Sequence, residues 1–213
     1  KATLRVNGTV ATSKWIPLLR EQFVPTDLRS HIFKKTGLTS PQLDLVDWDN
    51  LGISLSAQPL PSKVRLVNFM HDWLPVNKNM ARIYPMHSDT CPQCNTSIKT
   101  WQHLFTCTSD ISSASKLKAL AHFKTDLGKI KTAPIIHKVL LFNMSKWFRF
   151  SESAPRIPSN NLGNILSKAV EQQDELGWDN FAKGHVSHLW KEAQQIHISL
   201  FHPNTFSTKN KWA

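Results

Sequence analysis

The chain has 213 residues and a formal net charge of +11, because 26 lysines and arginines outnumber 15 aspartates and glutamates. With 40% hydrophobic residues, including 8 tryptophans and 11 phenylalanines, it can bury a sizeable core, so we expect it to fold. No apolar run reaches the roughly 20 residues that cross a bilayer and no signal peptide opens the chain, which predicts a soluble protein without a membrane partner. Because the first residue is Lys1, we expect a processed product or a piece of a longer protein.

Near its start, the chain predicts one short hairpin and then helices. Residues 3–10 alternate apolar and polar side chains around Asn7 and Gly8, which is typical of a tight turn between two strands. Beyond this pair the spacing of apolar side chains is helical. We expect helices from Ser13 onward, from a Thr26 cap to Gly37, and from Trp48, capped by Asp47, to a stop before Pro59.

Longer helices are predicted on both sides of the cysteines. The first has Ser62 as its cap and ends at Pro75, with an apolar stripe that we expect to be buried: Val64, Val67, Met70, Trp73 and Leu74. After the cysteines, a second core stripe comprises Leu117, Leu120, Ala121, Leu127 and Ile130. A largely buried helix over residues 135–150 follows, then a Ser/Pro-rich linker candidate at 151–160, and two more helices that begin near Leu162 and Val186.

These elements predict a mainly α fold: a helical domain with a short N-terminal β-hairpin and an inserted zinc knuckle of the Cys-Cys-His-Cys type. We expect residues 1–110 to contain the hairpin, the first helices and the knuckle. Residues 111–213 form a C-terminal helical region that can pack as one unit with the first.

All three cysteines of the chain lie within 17 residues of one another. Together with one histidine they have the spacing Cys-x2-Cys-x8-His-x3-Cys, which can wrap four ligands around one tetrahedral Zn²⁺. Thr100 can cap a helical turn that places the last two ligands on one face. The predicted ligands are Cys91, Cys94, His103 and Cys107. Because four protein ligands close the coordination sphere, we expect one structural zinc ion and no catalysis at this site.

The simpler interpretation of the same residues is three reduced cysteines beside a core histidine. We favour zinc because no cysteine lies elsewhere in the chain, and we note His87, four residues before Cys91, as an alternative ligand. An odd number of clustered cysteines argues against a disulfide framework and for a reducing compartment, the nucleus or the cytoplasm.

The basic charge predicts a polyanionic partner, RNA or DNA, through contacts to phosphates. Basic residues are spread along the chain, and the densest patch has only Asp126 as an opposing charge. The patch comprises Lys116, Lys118, Lys124, Lys129, Lys131 and Lys138. The alternative is an ordinary solvated helix face. Trp101, two residues before His103, can be either a platform for stacking bases or a hydrophobic plug beneath the metal.

Several motifs together resemble a known family. They are Val46-Asp47-Trp48-Asp49 at the start of a helix, a Leu60-Pro61 turn, a helix with Trp73, and the knuckle in the form Cys-Pro-x-Cys followed by His-Leu-Phe-x-Cys. The segment from Val46 to Cys107 resembles the zinc-binding region that follows the reverse transcriptase and RNase H-like parts of retroelement polyproteins. Further islands are similar to the downstream region of such proteins in algae, fungi and oomycetes: Val6-Asn7-Gly8, Gln173, Leu176-Gly177-Trp178, Phe181, Gly184, Ser187 and Trp190.

The resemblance implies a non-catalytic, nucleic-acid-associated C-terminal module with Cys91, Cys94, His103 and Cys107 as zinc ligands. Polymerase and RNase H chemistry would belong to upstream domains of a longer polyprotein. A retroelement fragment adopted by its host for another task is the alternative origin.

Two other clusters suggest metal chemistry but have simpler interpretations. His185, His188 and Glu192 recur at helical spacing and can hold a second metal, although surface or half-buried polar roles are more common for such residues. Asp44, Asp47 and Asp49 suggest a metal-dependent nuclease, but a helix N-terminus favours acidic residues without any catalysis.

Two functions follow from the sequence as hypotheses. The first is a zinc-stabilised nucleic-acid-binding module, whose affinity falls steeply with added salt. The second is an interaction or scaffold protein, which predicts a large exposed apolar patch and a stable oligomer.

Overall fold

The structure is a computed structural model, and it describes residues 5–6, 9–10, 30–31, 33–34 and 36–201. It is mainly helical, as predicted. The chain divides into two units, residues 1–44 and residues 45–213, and the expected division at residue 110 stays a prediction. Across the described ranges, no helix combines the length and the apolar character that crossing a membrane requires.

The first unit contains two short strands, β1 (Arg5–Val6) and β2 (Thr9–Val10), which pair antiparallel. The turn predicted at residues 7–8 lies outside the described residues, as do the helix expected from residue 13 and the Thr26 cap, so these stay predictions. The helix end predicted at Gly37 is confirmed, since Gly37 has a φ of +75° and its amide donates to the carbonyl of Phe33.

The short helix α1 (Ser40–Leu45) crosses from the first unit into the second. The other helices lie wholly in the second unit. They are α2 (Trp48–Ala57), α3 (Leu60–Met70), α4 (Asn77–Ile83), α5 (Trp101–Thr106), α6 (Asp110–Lys129), α7 (Pro134–Trp147), α8 (Asn161–Leu176), α9 (Trp178–Ala182) and α10 (Leu189–Phe201). Three short helices were not predicted from the sequence: α1, α4 and α9, which have only 6, 7 and 5 residues.

The hydrophobic core of the second unit lies among α6, α7, α8 and α10. Ile136 of α7, Leu166 and Ala169 of α8 and Ala193 of α10 are completely buried in it. Close packing of this kind contributes most of the favourable free energy of folding, at about 25 cal/mol for each Å² of apolar surface removed from water. The C-terminal helices therefore have a core of their own.

The segment 151–160, expected as a linker, contains neither helix nor strand but packs onto this core. Ile157 is half-buried against the core helices, and the backbone of Pro158 lies directly over Gly163 in the first turn of α8. A side chain at Gly163 would overlap the carbonyl oxygen of Pro158. Close approach of the two backbones therefore explains why this position holds glycine.

The buried stripe predicted over residues 64–74 is wrong. Helix α3 begins at Leu60 and ends at Met70, without a side-chain cap, and Val64, Val67 and Trp73 are exposed by 49%, 38% and 60%. Helical spacing shows only which residues share a face, and the face of α3 that is docked is the one that carries Phe69.

On α6, the buried face of the helix is not the face that carries most of the predicted stripe. Leu117 and Ile130 of the predicted stripe are exposed by 56% and 55%. Leu127 of that stripe is buried, as predicted, together with Ser112 and Lys116. The reason is a buried ammonium group, since Lys116 turns inward to a backbone carbonyl and places the neighbouring leucine in solvent.

Candidate metal centre

The first two cysteines lie in a tight loop between α4 and α5. Thr90 and Ile98 form an antiparallel bridge at the base of the loop, and the amide of Cys91 donates to the carbonyl of Ser97. The chain then reverses at Asn95, which has a φ of +54° and donates its amide to the carbonyl of Cys91. Because asparagine tolerates this left-handed conformation, the loop can fold back and bring both cysteines to one side.

The other two residues of the predicted site lie on α5. The hydroxyl of Thr100 accepts a hydrogen bond of 3.0 Å from the amide of His103, which confirms the cap expected there. Cys107 ends the helix and donates its amide to the carbonyl of His103. One helical turn thus separates the imidazole from the thiol and keeps both on one face, as the spacing predicted.

The four side chains converge. The sulfur atoms of Cys91, Cys94 and Cys107 and a ring nitrogen of His103 all lie within 4.8 Å of one another, and Cys94 Sγ is 3.3 Å from His103 Nε2. Cys91 and Cys107 are buried, while Cys94 and His103 are half-buried. Four donor atoms at these separations can hold one metal ion, so the predicted cluster is confirmed as a group of residues.

Local hydrogen bonds favour the thiolate form of Cys94. The side chain of Thr96, followed by its backbone amide, lowers the pKa of the Cys94 thiol to about 6, and contacts to His103 and Cys91 act in the same direction. The thiolate is the form that binds metals. The lowered pKa therefore favours a thiolate at this position of the loop at neutral pH.

A buried lysine contacts the backbone of Cys107, the last residue of the cluster. Lys116 Nζ donates a 2.8 Å hydrogen bond to the carbonyl oxygen of Cys107 and lies 5.5 Å from the centre of the Phe150 ring. Burial lowers the pKa of this ammonium group, whereas the nearby Cys107 raises it. Lys116 therefore ties the end of α5 to α6 and to the chain that follows α7. It does not belong to the exposed lysine patch in which the sequence analysis placed it.

Trp101 is the first residue of α5, two residues before His103. It is buried and packs edge-on against Phe69 of α3, with Phe105 on its own helix as a further neighbour. Lys183 Nζ lies 4.0 Å from the centre of the Trp101 ring and forms a 2.7 Å ion pair with Asp72. Of the two roles expected for Trp101, its burial contradicts the base-stacking platform, and the hydrophobic plug beneath a metal stays a prediction. A base cannot stack on a ring that is covered in this way.

The five remaining lysines of the predicted patch are exposed. Lys118, Lys124 and Lys129 lie on α6, Lys131 follows it, and Lys138 lies on α7. Lys129 is paired with Asp126 at 2.8 Å, and this contact lowers the pKa of the Asp126 carboxyl. The exposed lysines are thus available to solvent, as either a nucleic-acid contact or a solvated helix face requires.

The alternative metal clusters do not form. In residues 36–201, which include all of them, the cysteine and histidine cluster is the only group of such side chains close enough to hold an ion, and His87 is not part of it. His185 is buried with Nδ1 3.3 Å from Asn180 Oδ1, whereas His188 is exposed and contacts the carbonyl of Leu45. Asp47 caps α2 by accepting from the amide of Asn50, as the simpler interpretation predicted.

The structural roles of Lys116 and Lys183 were not predicted from the sequence. Both are lysines with buried side chains, and lysine is normally exposed. For Lys116 a signal existed, because it lies one helical turn before Leu120 and can share its face. For Lys183 we find no comparable signal, since its partners Trp101 and Asp72 are more than 80 residues away.

Comparison of the chain with protein-family models, with curated proteins and with solved structures found no match in any of the three. The resemblance to retroelement polyproteins therefore stays a proposal.

Proposed function

We propose that Cys91, Cys94, His103 and Cys107 bind one structural zinc ion. Zinc–sulfur bonds of about 2.3 Å in a tetrahedron place neighbouring ligand atoms roughly 3.7 Å apart, which is compatible with four donors that all lie within 4.8 Å. Three thiolates and one imidazole are soft or borderline ligands of the kind that zinc prefers. This convergence is the observation that carries the proposal. Because four protein ligands leave no position for water or substrate, the ion stabilises the fold and has no role in catalysis.

Metal analysis of the purified protein tests the zinc proposal. We expect one equivalent of zinc by mass spectrometry, lost together with helical content in Cys91→Ser and Cys107→Ser. His87→Ala is the matched control, since this histidine lies four residues before Cys91 but outside the cluster. A wild-type protein that is folded and metal-free after purification in zinc-containing buffer would contradict the proposal.

The zinc-stabilised unit is, in our proposal, a non-catalytic nucleic-acid-binding module like the C-terminal region of a retroelement polyprotein. Support comes from the net charge of +11 and from the exposed lysines between residues 118 and 138, a stretch in which Asp126 is the only acidic residue. Lysines at a surface bind phosphates without reading sequence and release counterions as they do so. RNA or DNA is therefore the proposed partner, and any polymerase domain would lie elsewhere in a longer protein.

Titration with labelled single-stranded RNA and DNA at increasing salt tests this function. We expect affinity to fall steeply from low to physiological salt, with a smaller salt slope after alanine replaces Lys118, Lys124, Lys131 and Lys138 together. The matched control is Lys168→Ala, an exposed lysine of α8 outside the patch. The proposal that these lysines bind nucleic acid would be refuted if the protein did not bind at low ionic strength, or if Lys168→Ala reduced the salt slope as much as the fourfold variant does.

A protein-interaction module is a second candidate, favoured by where the apolar residues are exposed. Of the sixteen large hydrophobic side chains that are exposed in the described part of the chain, eight lie between Leu60 and Met86. Clusters of this kind mark contact surfaces more often than scattered single residues do. Light scattering on the purified protein tests the scaffold form of this candidate, for which we expect a stable oligomer.

A further inference from the structure

The three cysteines of the cluster differ in how far they reach solvent. Cys91 and Cys107 are exposed by only 1% and 2%, whereas Cys94 is half-buried. Cys94 lies in the turn of the cysteine loop, and its neighbours in the chain, Gln93 and Asn95, are both exposed. A small reagent from solvent therefore reaches Cys94 more readily than it reaches the other two cysteines.

Two other sulfur atoms lie close enough to Cys94 to form a bond with it after small movements. The four ligand atoms of the cluster all lie within 4.8 Å of one another. A disulfide needs two sulfur atoms about 2.05 Å apart, so the separation that has to close is at most about 3 Å. Both Cys91 and Cys107 meet this condition, and the backbone decides which of them is the better partner.

The backbone favours Cys91 as the partner of Cys94. Residues 92–94 form a turn, which the amide of Asn95 closes by donating a 2.8 Å hydrogen bond to the carbonyl of Cys91. A turn keeps Cα atoms three residues apart within about 7 Å, and disulfides join Cα atoms about 4.4–6.8 Å apart. The two cysteines can therefore be joined within the loop, without the movement of a helix.

Cys107 belongs to a different element, which other contacts hold in place. Its amide donates to the carbonyl of His103, and its carbonyl accepts a 2.8 Å hydrogen bond from the buried Lys116. A bond between Cys94 and Cys107 would draw the end of α5 towards the loop, against these contacts. We therefore expect Cys107 to remain a thiol when the other two cysteines react.

We infer that Cys91 and Cys94 are a site of reversible oxidation, at which a hydroperoxide converts both thiolates to a disulfide and the cluster loses its metal ion. This inference rests on the proposed zinc site. Disulfides in proteins of reducing compartments are usually transient ones of this kind. After oxidation only His103 and Cys107 remain as ligands, which is half of the four that hold a structural zinc ion.

The reaction has two steps, and each of them displaces hydroxide. The thiolate of Cys94 attacks one oxygen of hydrogen peroxide, so that an S–O bond forms, the O–O bond breaks and hydroxide leaves. The thiolate of Cys91 then attacks the sulfur of Cys94, so that an S–S bond forms and the S–O bond breaks with loss of a second hydroxide. Two electrons pass from the sulfur atoms to the peroxide, and both hydroxides take up protons from solvent to become water.

Treatment of the zinc-loaded wild-type protein with hydrogen peroxide tests this inference. Zinc is measured first, and peroxide should then release the bound equivalent to a coloured zinc indicator. Trypsin cleaves after lysine and arginine, so Cys91 and Cys94 share the peptide 83–99, whereas Cys107 lies in the peptide 100–116. When free thiols are alkylated before digestion, we expect peptide 83–99 to be unalkylated and two hydrogens lighter, and peptide 100–116 to carry one alkyl group. Dithiothreitol with added zinc should restore the metal content.

Met86→Leu is the matched control, because Met86 is 97% exposed, lies in the same peptide and also reacts with peroxide. This variant should release zinc as the wild type does. Four results would overturn the inference: zinc retained with all three cysteines alkylated, a disulfide that joins the two peptides, a sulfinic acid at Cys94 in place of the disulfide, or release that Met86→Leu abolishes. A wild-type protein without zinc before treatment would overturn the proposed metal site and this inference with it.

Discussion

The two halves of the larger unit are stabilised in different ways. The cysteine-bearing segment, residues 48–107, contains the helices α2, α3 and α4, none of which has a buried residue. The buried residues of this segment are Val76, Cys91, Trp101 and Cys107, and two of these belong to the cysteine and histidine cluster. The C-terminal segment, residues 110–201, has six buried residues on each of α7 and α8.

This difference is the one expected if the proposed metal stabilises the segment that has little hydrophobic core. A short segment with little apolar surface to bury cannot offset the conformational entropy that folding costs, and a structural metal is one common solution. The C-terminal helices bury enough apolar surface to need no metal. We therefore expect the two segments to respond differently to the same perturbations, and this difference can be measured.

Removal of the metal should have the largest effect. A chelator, or Cys107→Ser, should abolish the protection of backbone amides from hydrogen exchange in α4, α5 and the cysteine loop, because metal binding there is coupled to folding. Amides of α7 and α8 should remain protected. Hydrogen exchange with mass spectrometry on zinc-loaded and chelated protein measures both segments at once. Uniform loss of protection along residues 48–201 would show that the two segments are one cooperative unit.

Substitutions at two glycines test the difference in packing between the two segments. Gly163→Ala should destabilise the protein by about 3 kcal/mol, because its new side chain overlaps the backbone of Pro158. Gly52→Ala is the matched change in the cysteine-bearing segment, where no atom lies within 4 Å of the position of the new side chain. It should stabilise the protein by about 0.5–1 kcal/mol, since alanine is the better helix former. Denaturant unfolding of both variants measures the difference, and equal effects would contradict the contrast in packing.

The stability of the protein should depend on pH through the protonation of a buried histidine, His185. Burial, with smaller contributions from Lys183 and His71, lowers the pKa of His185 from 6.5 to about 4. Between these values the unfolded chain binds a proton that the folded protein does not, so stability falls as the pH falls from 6.5 towards 4, by about 3 kcal/mol.

His185→Gln should remove this part of the pH dependence, as denaturant unfolding across the same range can measure. Protonation of the metal ligands is common to both proteins and cancels in the difference. If the wild-type and variant curves have the same slope, the lowered pKa of His185 is not the cause.

Loss of the Lys116 ammonium should have the smallest of these effects. Lys116→Met leaves the carbonyl of Cys107 without its 2.8 Å donor, and we expect about ten-fold weaker zinc binding in a chelator competition. Lys118→Met is the control, because Lys118 is exposed on the same helix. The role assigned to Lys116 fails if both variants bind zinc with the wild-type affinity.

The cluster of three cysteines and one histidine could be predicted from the sequence because its members are close to one another in the chain. Thr100, His103 and Cys107 occupy one short helix, and Cys91 and Cys94 one tight loop, so backbone geometry over a few residues decides their arrangement. The start of α2 at Trp48, with Asp47 as its cap, was predicted for the same reason. Capping and turn chemistry depend on neighbours in the chain, which a sequence displays directly.

The direction in which each amphipathic helix faces could not be predicted in this way. Apolar spacing identified a stripe on α3, but only the docking of Phe69 against Trp101 shows that this stripe is on the outside. On α6, the inward turn of Lys116 depends on a carbonyl oxygen that α5 supplies. Both outcomes depend on which neighbouring helix packs against which face.

By itself, the sequence determined that the protein is mainly helical and that three cysteines and one histidine meet at one place, because both follow from the spacing of nearby residues. Only the tertiary structure decided that Trp101 and Lys116 are buried and that Leu60, Val64 and Val67 are exposed. These facts depend on contacts between residues far apart in the chain, such as Lys183 with Trp101. Burial is a property of the packed molecule, and no pattern within a single helix specifies it.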